Sequence, residues 1–450
     1  MIKKILLLLL CSVSLQAQHI ITGTIESEQN LKWILLYQMQ GAQQEYIANA
    51  SVIDKKFTLN FPENAPKGVY RLIYTMDSTP FLDIVYNDED IELSFDPLQP
   101  NETVKFTKSE ENRLLHEYLV AAGGPQYKLD SAQIAYFSAD AAKRAVLKNI
   151  YKTNYEKFKK AQQTYEQLSN GKLVHHFIKA SQRYNAEEPV EVPEVYLHNL
   201  KTHYFDYLDV DDEVLMNSTM INDKINDFIF YVNRSDDANM NAKLQKVAVA
   251  TAIGKVEHNP KLAKDIEEGL IYTFVNQQNA DMVQYIINNH YEKLPFNYQD
   301  TAFIKDIEGQ LRTSIGKKAP NFTWNYNGTA KDLYSLSGKD YYVIAFWSST
   351  CGHCLKEMPL LYDFLKDKNS TQAIAIGLED KTSESGWKTQ IQQYSTFVNV
   401  LGENKWNNPI AKEYGINATP TFLVLDADKN VLAKPDDVEA LKAFFETLKQ

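Results

Sequence analysis

A multidomain α+β chain is predicted, with a small N-terminal β-sandwich, an all-helical middle region and a C-terminal α/β domain. Three changes of texture carry this reading. Short alternating apolar runs occupy residues up to about Pro97, and a three- and four-residue periodicity runs from about Glu110 to Arg312. From about Gly316 onward, strand and helix patterns alternate. The chain has 450 residues, 44% hydrophobic and 23% charged, which suits two or three domains with real cores. The divisions fall at 1–17 for a leader, 18–105 for the sandwich, 106–312 for the helical region and 313–450 for the α/β domain.

The first element is the leader. Met1-Ile2-Lys3-Lys4 is a basic start, Ile5 to Leu10 a short apolar core, and Ser14-Leu15-Gln16-Ala17 supplies a small residue for cleavage. This is the pattern of a secretory signal peptide. The apolar run is too short to span a bilayer. Cys11 raises the alternative of a lipid anchor, but Leu10 precedes it where a small residue is expected. Soluble export to the periplasm or cell envelope is therefore the preferred reading. Export would leave Cys351 and Cys354 as the cysteines of the mature chain, with no disulfide framework to hold the fold. A net charge of −11 offers no footing for nucleic acid.

Strands are expected at Ile20–Ile25, Trp33–Tyr37, Lys56–Phe61, Val69–Tyr74 and Asp90–Phe95, separated by polar or Gly/Pro punctuation. Helices are expected around Arg113–Ala122, Val174–Arg183, Asp223–Val232, Ala242–Val256 and Ala280–His290. Gly123-Gly124-Pro125, Glu187-Glu188-Pro189 and Asn259-Pro260 read as connections. Tyr151, Tyr155, Phe158, Ala161, Tyr165 and Leu168 form one apolar stripe on a long helix. His175 and His176 lie in a helical stretch without a ligand set around them and read as structural. In the last region the elements are Tyr342–Trp347, Leu355–Lys366, Ala373–Leu378, Trp387–Tyr394, Thr421–Leu425 and Val438–Lys449.

Chemistry concentrates in Cys351-Gly352-His353-Cys354. A buried strand ending at Trp347 and a polar turn, Ser348-Ser349-Thr350, deliver two cysteines to the start of a helix. The helix terminus stabilises the first sulfur as a thiolate, the nucleophile of disulfide exchange. A zinc site would need about four ligands, and no second Cys-x-x-Cys or paired-His motif is present. A structural disulfide closing so short a loop gains little stability. A peroxiredoxin pattern would have Pro where Ala345 stands.

The C-terminal region resembles the thioredoxin superfamily, and within it the TlpA-like exported thiol–disulfide oxidoreductases. The resemblance rests on Ala319-Pro320-Asn321-Phe322, Leu336-Ser337-Gly338-Lys339, Phe346-Trp347, Cys351-x-x-Cys354-x-x-Glu357-x-Pro359, and Tyr414-Gly415-Ile416 followed by Ala418-Thr419-Pro420-Thr421-Phe422. It covers roughly the last 130 residues. The whole layout also resembles, more loosely, the long TlpA-like proteins of Bacteroidetes. The resemblance implies a thioredoxin-like fold over 313–450, with Cys351 attacking and Cys354 resolving. Gly352, His353 and Trp347 would tune the thiolate. Glu357 would act as acid/base partner, a role given more weight by Ala345, which stands where thioredoxin itself has a buried aspartate. Thr419 and a cis Pro420 would bind substrate backbone. Two departures are present: Thr350 stands where family members commonly have tryptophan, and Cys-Gly-His-Cys is the sequence typical of disulfide isomerases.

The expected activity is exchange with protein thiols and disulfides, as a reductase served by a membrane electron donor, with no cofactor and no metal. An oxidase or isomerase is the alternative within the same chemistry. A partner-binding protein with an incidental or regulatory dithiol is the alternative of another class. Homodimerisation through the front domains is left open.

Overall fold

The computed structural model describes residues 19–448, apart from 77, 78 and 327. The predicted leader, including Cys11, lies outside the described residues. The described residues form two compact units, divided between Gly269 and Leu270.

The first unit opens with strands β1 (Ile20–Ile25), β2 (Trp33–Gln40), β3 (Gln43–Ser51), β4 (Lys56–Asn60), β5 (Gly68–Ile73), β6 (Phe81–Tyr86), β7 (Ile91–Phe95) and β8 (Lys105–Lys108). They make two four-stranded sheets, ordered β4-β1-β7-β8 and β3-β2-β5-β6. Alternate residues from both sheets meet in one core that includes Ile21, Leu59, Leu93, Ile34, Leu72 and Ile84. The N-terminal domain is thus a β-sandwich. Strands β3, β6 and β8 were not anticipated from sequence. Most of β3 is polar and carries no buried residue, so its alternation had nothing apolar to report.

Helices follow: α1 (Pro100–Thr103), α2 (Glu110–Ser138), α3 (Ala141–Leu168), α4 (Val174–Ala180), α5 (Pro193–Thr202), α6 (Glu213–Met216), α7 (Met220–Asp227), α8 (Ala238–Val256) and α9 (Pro260–Asn276). The expected connection at Gly123-Gly124-Pro125 is a correction: all three residues lie inside α2. Proline removes one backbone bond there. The helix is nevertheless held on both sides, by buried Leu114, Tyr118 and Ala122 before and by Leu129, Ala132 and Tyr136 after. The stripe on α3 is also rotated from its expected position. Tyr151, Asn154, Phe158 and Gln162 are buried, whereas Leu168 is exposed. Tyr118 donates to Gln162 Oε1 at 2.7 Å, so polar groups replace part of the apolar seam. His175 lies 3.1 Å from Ser169 Oγ and His176 2.5 Å from Asp212 Oδ2.

The second unit contains α10 (Ala280–Asn289) and α11 (Thr301–Arg312), then β9 (Thr323–Tyr326) and β10 (Thr329–Asp332). The layered domain follows with β11 (Tyr341–Trp347), α12 (Cys354–Leu365), β12 (Thr371–Glu379), α13 (Glu384–Gln390), β13 (Val398–Glu403), α14 (Pro409–Glu413), β14 (Thr421–Asp426), β15 (Val431–Ala433) and α15 (Val438–Thr447). The sheet order is β13-β12-β11-β14-β15. Strands β11, β12 and β13 run parallel, and β14 and β15 continue antiparallel. Separate cores cover the two faces: Val343, Ala345 and Trp347 point to one, Tyr342, Ile344 and Phe346 to the other. Central β11 is therefore buried on both faces, which explains its unbroken apolar run. Edge strand β13 was not anticipated, because only Val400 and Gly402 in it are buried.

Helix α11 packs against α14 and the turn after it through two glycines. A Cβ on Gly309 would stand 2.9 Å from the Lys412 carbonyl oxygen, and one on Gly415 2.4 Å from the Gln310 amide nitrogen. Gly415 also has φ +62°, which disfavours any side chain. Gly415→Ala should therefore destabilise the second unit by about 2–4 kcal/mol in urea unfolding. Gly254→Ala, in α8 with open space around the site, should instead stabilise by up to about 1 kcal/mol. A Gly415→Ala protein as stable as the wild type would refute the close helix contact.

Candidate active site

The dithiol sits where β11 ends and α12 begins. After Trp347 the chain turns through Ser348, Ser349 and Thr350, and the Cys351 amide closes the turn by donating to the Ser348 carbonyl at 3.2 Å. Cys351 is half-buried and Cys354, one helical turn on, is fully buried among Trp347, Met358 and Leu361. The Cys354 amide donates to Cys351 Sγ at 3.3 Å, one of the helix-terminal N–H groups that have no partner within the helix. The Cys351 thiol in turn lies 3.4 Å from the Thr419 carbonyl oxygen. The Thr419–Pro420 peptide bond is cis.

The surroundings push the two thiols apart. Burial opposes ionisation of Cys351. Hydrogen bonds from the Cys354 thiol, the Cys354 amide, Thr419 and the His353 amide outweigh it, so Cys351 titrates below the ordinary thiol range. Burial pushes Cys354 up to about 12, with the neighbouring Cys351 sulfur adding to the effect. One thiol is thus lowered and half-exposed, the other raised and buried.

The remaining residues singled out in the sequence fall around this pair. Gly352 and His353 are exposed on the rim, and Trp347 is fully buried beneath it. Ala345 is buried in the middle of β11. Glu357 lies in the first turn of α12, and its Oε2 accepts the Val438 amide at 2.9 Å, capping the first turn of α15. That bond ties the redox helix to the C-terminal helix. Pro359 lies within α12.

One buried acid escaped the sequence reading. Glu379 ends β12, is 1% exposed, and accepts the Ser349 amide at 2.5 Å beside the redox turn. A carboxylate closing the apolar run Ala373–Leu378 was the signal available, but it reads equally as the first residue of a loop.

Two cavities of this unit, about 810 and 710 Å³, are lined by neither cysteine. Cys351, half-buried, lies beside the Thr419 carbonyl, backbone that an extended chain could pair with. Among the described residues no group of His, Cys, Asp and Glu is arranged to hold a metal.

Comparison with known proteins follows this geometry. Residues 338–431 match the Thioredoxin-like family model. Over 134 residues the chain is 28% identical to the thiol–disulfide oxidoreductase ResA of Bacillus cereus, covering 30% of this chain and 74% of that one. Among solved structures, a domain of a possible thiol–disulfide isomerase from Cytophaga hutchinsonii is 33% identical. The match covers 30% of this chain and 92% of that one, with a TM-score of 0.26. A thioredoxin-like protein from Bacteroides caccae matches over 59% of this chain and 98% of its own, at 17% identity and a TM-score of 0.29.

The thiol asymmetry predicts that iodoacetamide at neutral pH labels Cys351 in the reduced protein and leaves Cys354 unmodified; equal labelling would contradict it. It also predicts a stability slope in alkali. Unfolded Cys354 loses its proton near the ordinary value of 9.0, whereas the native thiol keeps it to about 12. The native state then binds more protons across that window, so stability of the reduced protein falls as pH rises through it. In Cys354→Ala this part of the slope should disappear.

Proposed function

The chain belongs, through its C-terminal domain, to the thioredoxin superfamily, and from that premise we propose an exported reductase of protein disulfides. The observation that carries disulfide exchange, in either direction, is the division of labour between Cys351, lowered and half-exposed, and Cys354, raised and buried. Cys351 thiolate attacks one sulfur of a substrate disulfide, forming a mixed disulfide and releasing the other substrate sulfur as a thiolate. Cys354 then gives up its proton and attacks Cys351 Sγ, breaking the mixed disulfide and releasing the second substrate thiol. The substrate gains two electrons and two protons, and the Cys351–Cys354 disulfide must be reduced again by a dithiol donor. A donor at the membrane suits an exported protein.

The basic start and short apolar core of residues 1–17 support export. No helix among the described residues is long and apolar enough to cross a membrane. Thr419 presents its carbonyl beside the attacking sulfur, and substrate backbone is proposed to pair there. Glu357 is proposed to handle protons for Cys354, held in place by its bond to Val438.

Oxidase or isomerase activity is the second reading. The lowered titration of Cys351 favours it, because a stabilised thiolate makes the reduced form more favourable and the pair more oxidising. The reduction potential separates the two. A value near thioredoxin's, about −270 mV, supports the reductase, and one at or above about −180 mV supports oxidase or isomerase. Substrate exchange itself is tested with Cys354→Ala, which should trap covalent adducts through Cys351 in the cell envelope. Absence of adducts there would sink direct exchange. Glu357→Gln should slow the resolving step and move its pH profile. A loss of about 1 kcal/mol of stability with an unmoved profile would reduce Glu357 to a helix cap.

A further inference from the structure

Beside the dithiol stands a carboxylate that the exchange steps above leave unused. Glu379 is the last residue of β12, which runs parallel to β11 with Gly377 opposite Trp347. Two residues further along, Glu379 comes level with the redox turn. Its Oε1 accepts the Ser349 amide at 2.5 Å, and its Oε2 lies 3.4 Å from the Ser348 hydroxyl. Ser348 Oγ is also 3.0 Å from Thr350 Oγ1, and the Ser348 carbonyl receives the Cys351 amide. Glu379 therefore grips a segment whose Ser348 carbonyl holds the Cys351 amide.

A neutral glutamine could accept the same amide hydrogen bond without the cost of burying a carboxylate, which is several kcal/mol for an ion taken out of water. The charge calls for a role that a neutral acceptor cannot fill. One ammonium, Lys405, is shared between Glu379 and Asp380. Asp380 is paired with Lys405 at 2.9 Å, and Glu403 lies across from Glu379 on β13. With Glu379 that makes three carboxylates against one ammonium, while His353 stands exposed at the rim.

We propose that Glu379 is a positioning residue for the dithiol. Its carboxylate fixes the Ser348–Thr350 turn that presents Cys351, and its negative charge opposes thiolate build-up on the pair, holding the couple toward the reducing side. The inference rests on the reading of Cys351 and Cys354 as an exchange dithiol. Removing the charge stabilises the thiolate and hence the reduced form, which raises the reduction potential.

The test compares the full chain with Glu379→Gln and Glu379→Asp in defined glutathione buffers, with thiolate absorbance followed against pH. Glu379→Gln should shift the dithiol–disulfide equilibrium about tenfold toward the reduced form, close to 30 mV more oxidising. Its Cys351 titration should move to lower pH. Glu379→Asp, which keeps the charge, should stay within about threefold of the wild type. A folded Glu379→Gln protein with wild-type potential and pH profile overturns the proposal, as does an Asp variant that shifts as far as the Gln variant. If Glu379→Gln does not fold, the wild type still decides. Linkage is reciprocal, so the Glu379 carboxyl, followed by carbon-13 NMR, must titrate differently in oxidised and reduced protein, and identical titrations refute the coupling. A wild type with no reversible couple removes the exchange reading and this inference together, whereas a normal wild-type couple with an unchanged variant removes the inference alone.

Discussion

The site depends on one contact, the amide of Cys354 pointing at the sulfur of Cys351 across 3.3 Å. A helix leaves its first N–H groups without internal partners, and a thiolate is a good acceptor for them. The contact exists only because the sulfur and the helix start are both held still. Strand β11 supplies that rigidity: every residue from Tyr342 to Trp347 is buried, and the strand is bonded to β12 on one side and β14 on the other. The same arrangement separates the thiols. Three residues along a helix bring Cys354 under Cys351, so one sulfur meets solvent and the other meets Trp347 and Met358.

What was legible in the sequence is what local pattern encodes. The run from Tyr342 to Trp347, the Cys-x-x-Cys spacing and the Thr419-Pro420 pair before another apolar run are contiguous signals, and the structure brings these three segments together. The elements that escaped are those whose stability comes from distant partners. Helix α2 continues through Gly123, Gly124 and Pro125 because of packing on either side, which local propensity cannot report. Edge strands β3 and β13 carry too few buried residues to show an apolar alternation. Gly309 and Gly415 are 106 positions apart, and nothing in either neighbourhood announces that their backbones touch. Glu379 is of the same kind, since its partner amide at Ser349 lies thirty residues earlier.

The shape of the surface around the sulfurs constrains what they can meet. Neither of the two cavities described above for the C-terminal unit includes a cysteine. A protein disulfide brings its own backbone. The Thr419 carbonyl stands beside the attacking sulfur, so a substrate strand docked along this segment would deliver its disulfide to Cys351 while making main-chain hydrogen bonds. Such recognition depends on backbone more than on particular side chains. Selectivity would then have to come from surfaces beyond the immediate rim.

Direction of electron flow is a balance between two local fields. The α12 terminus, with amides of Cys354 and His353 turned toward Cys351, favours negative charge on that sulfur and so favours the reduced pair. The carboxylates clustered beyond the turn, Glu379, Asp380 and Glu403 with Lys405 among them, are proposed to disfavour it. The two fields differ in their reach. The amide contacts act at hydrogen-bond distance and belong to the helix start itself, so any dithiol placed there acquires them. The carboxylate field arises from the ends of β12 and β13, which lie outside the cysteine motif. It follows that Cys-Gly-His-Cys by itself does not determine whether the couple gives or takes electrons. The same four residues above a neutral turn would be the more oxidising pair, and the acid buried behind Ser348 and Ser349 is the element of this chain that pulls the other way.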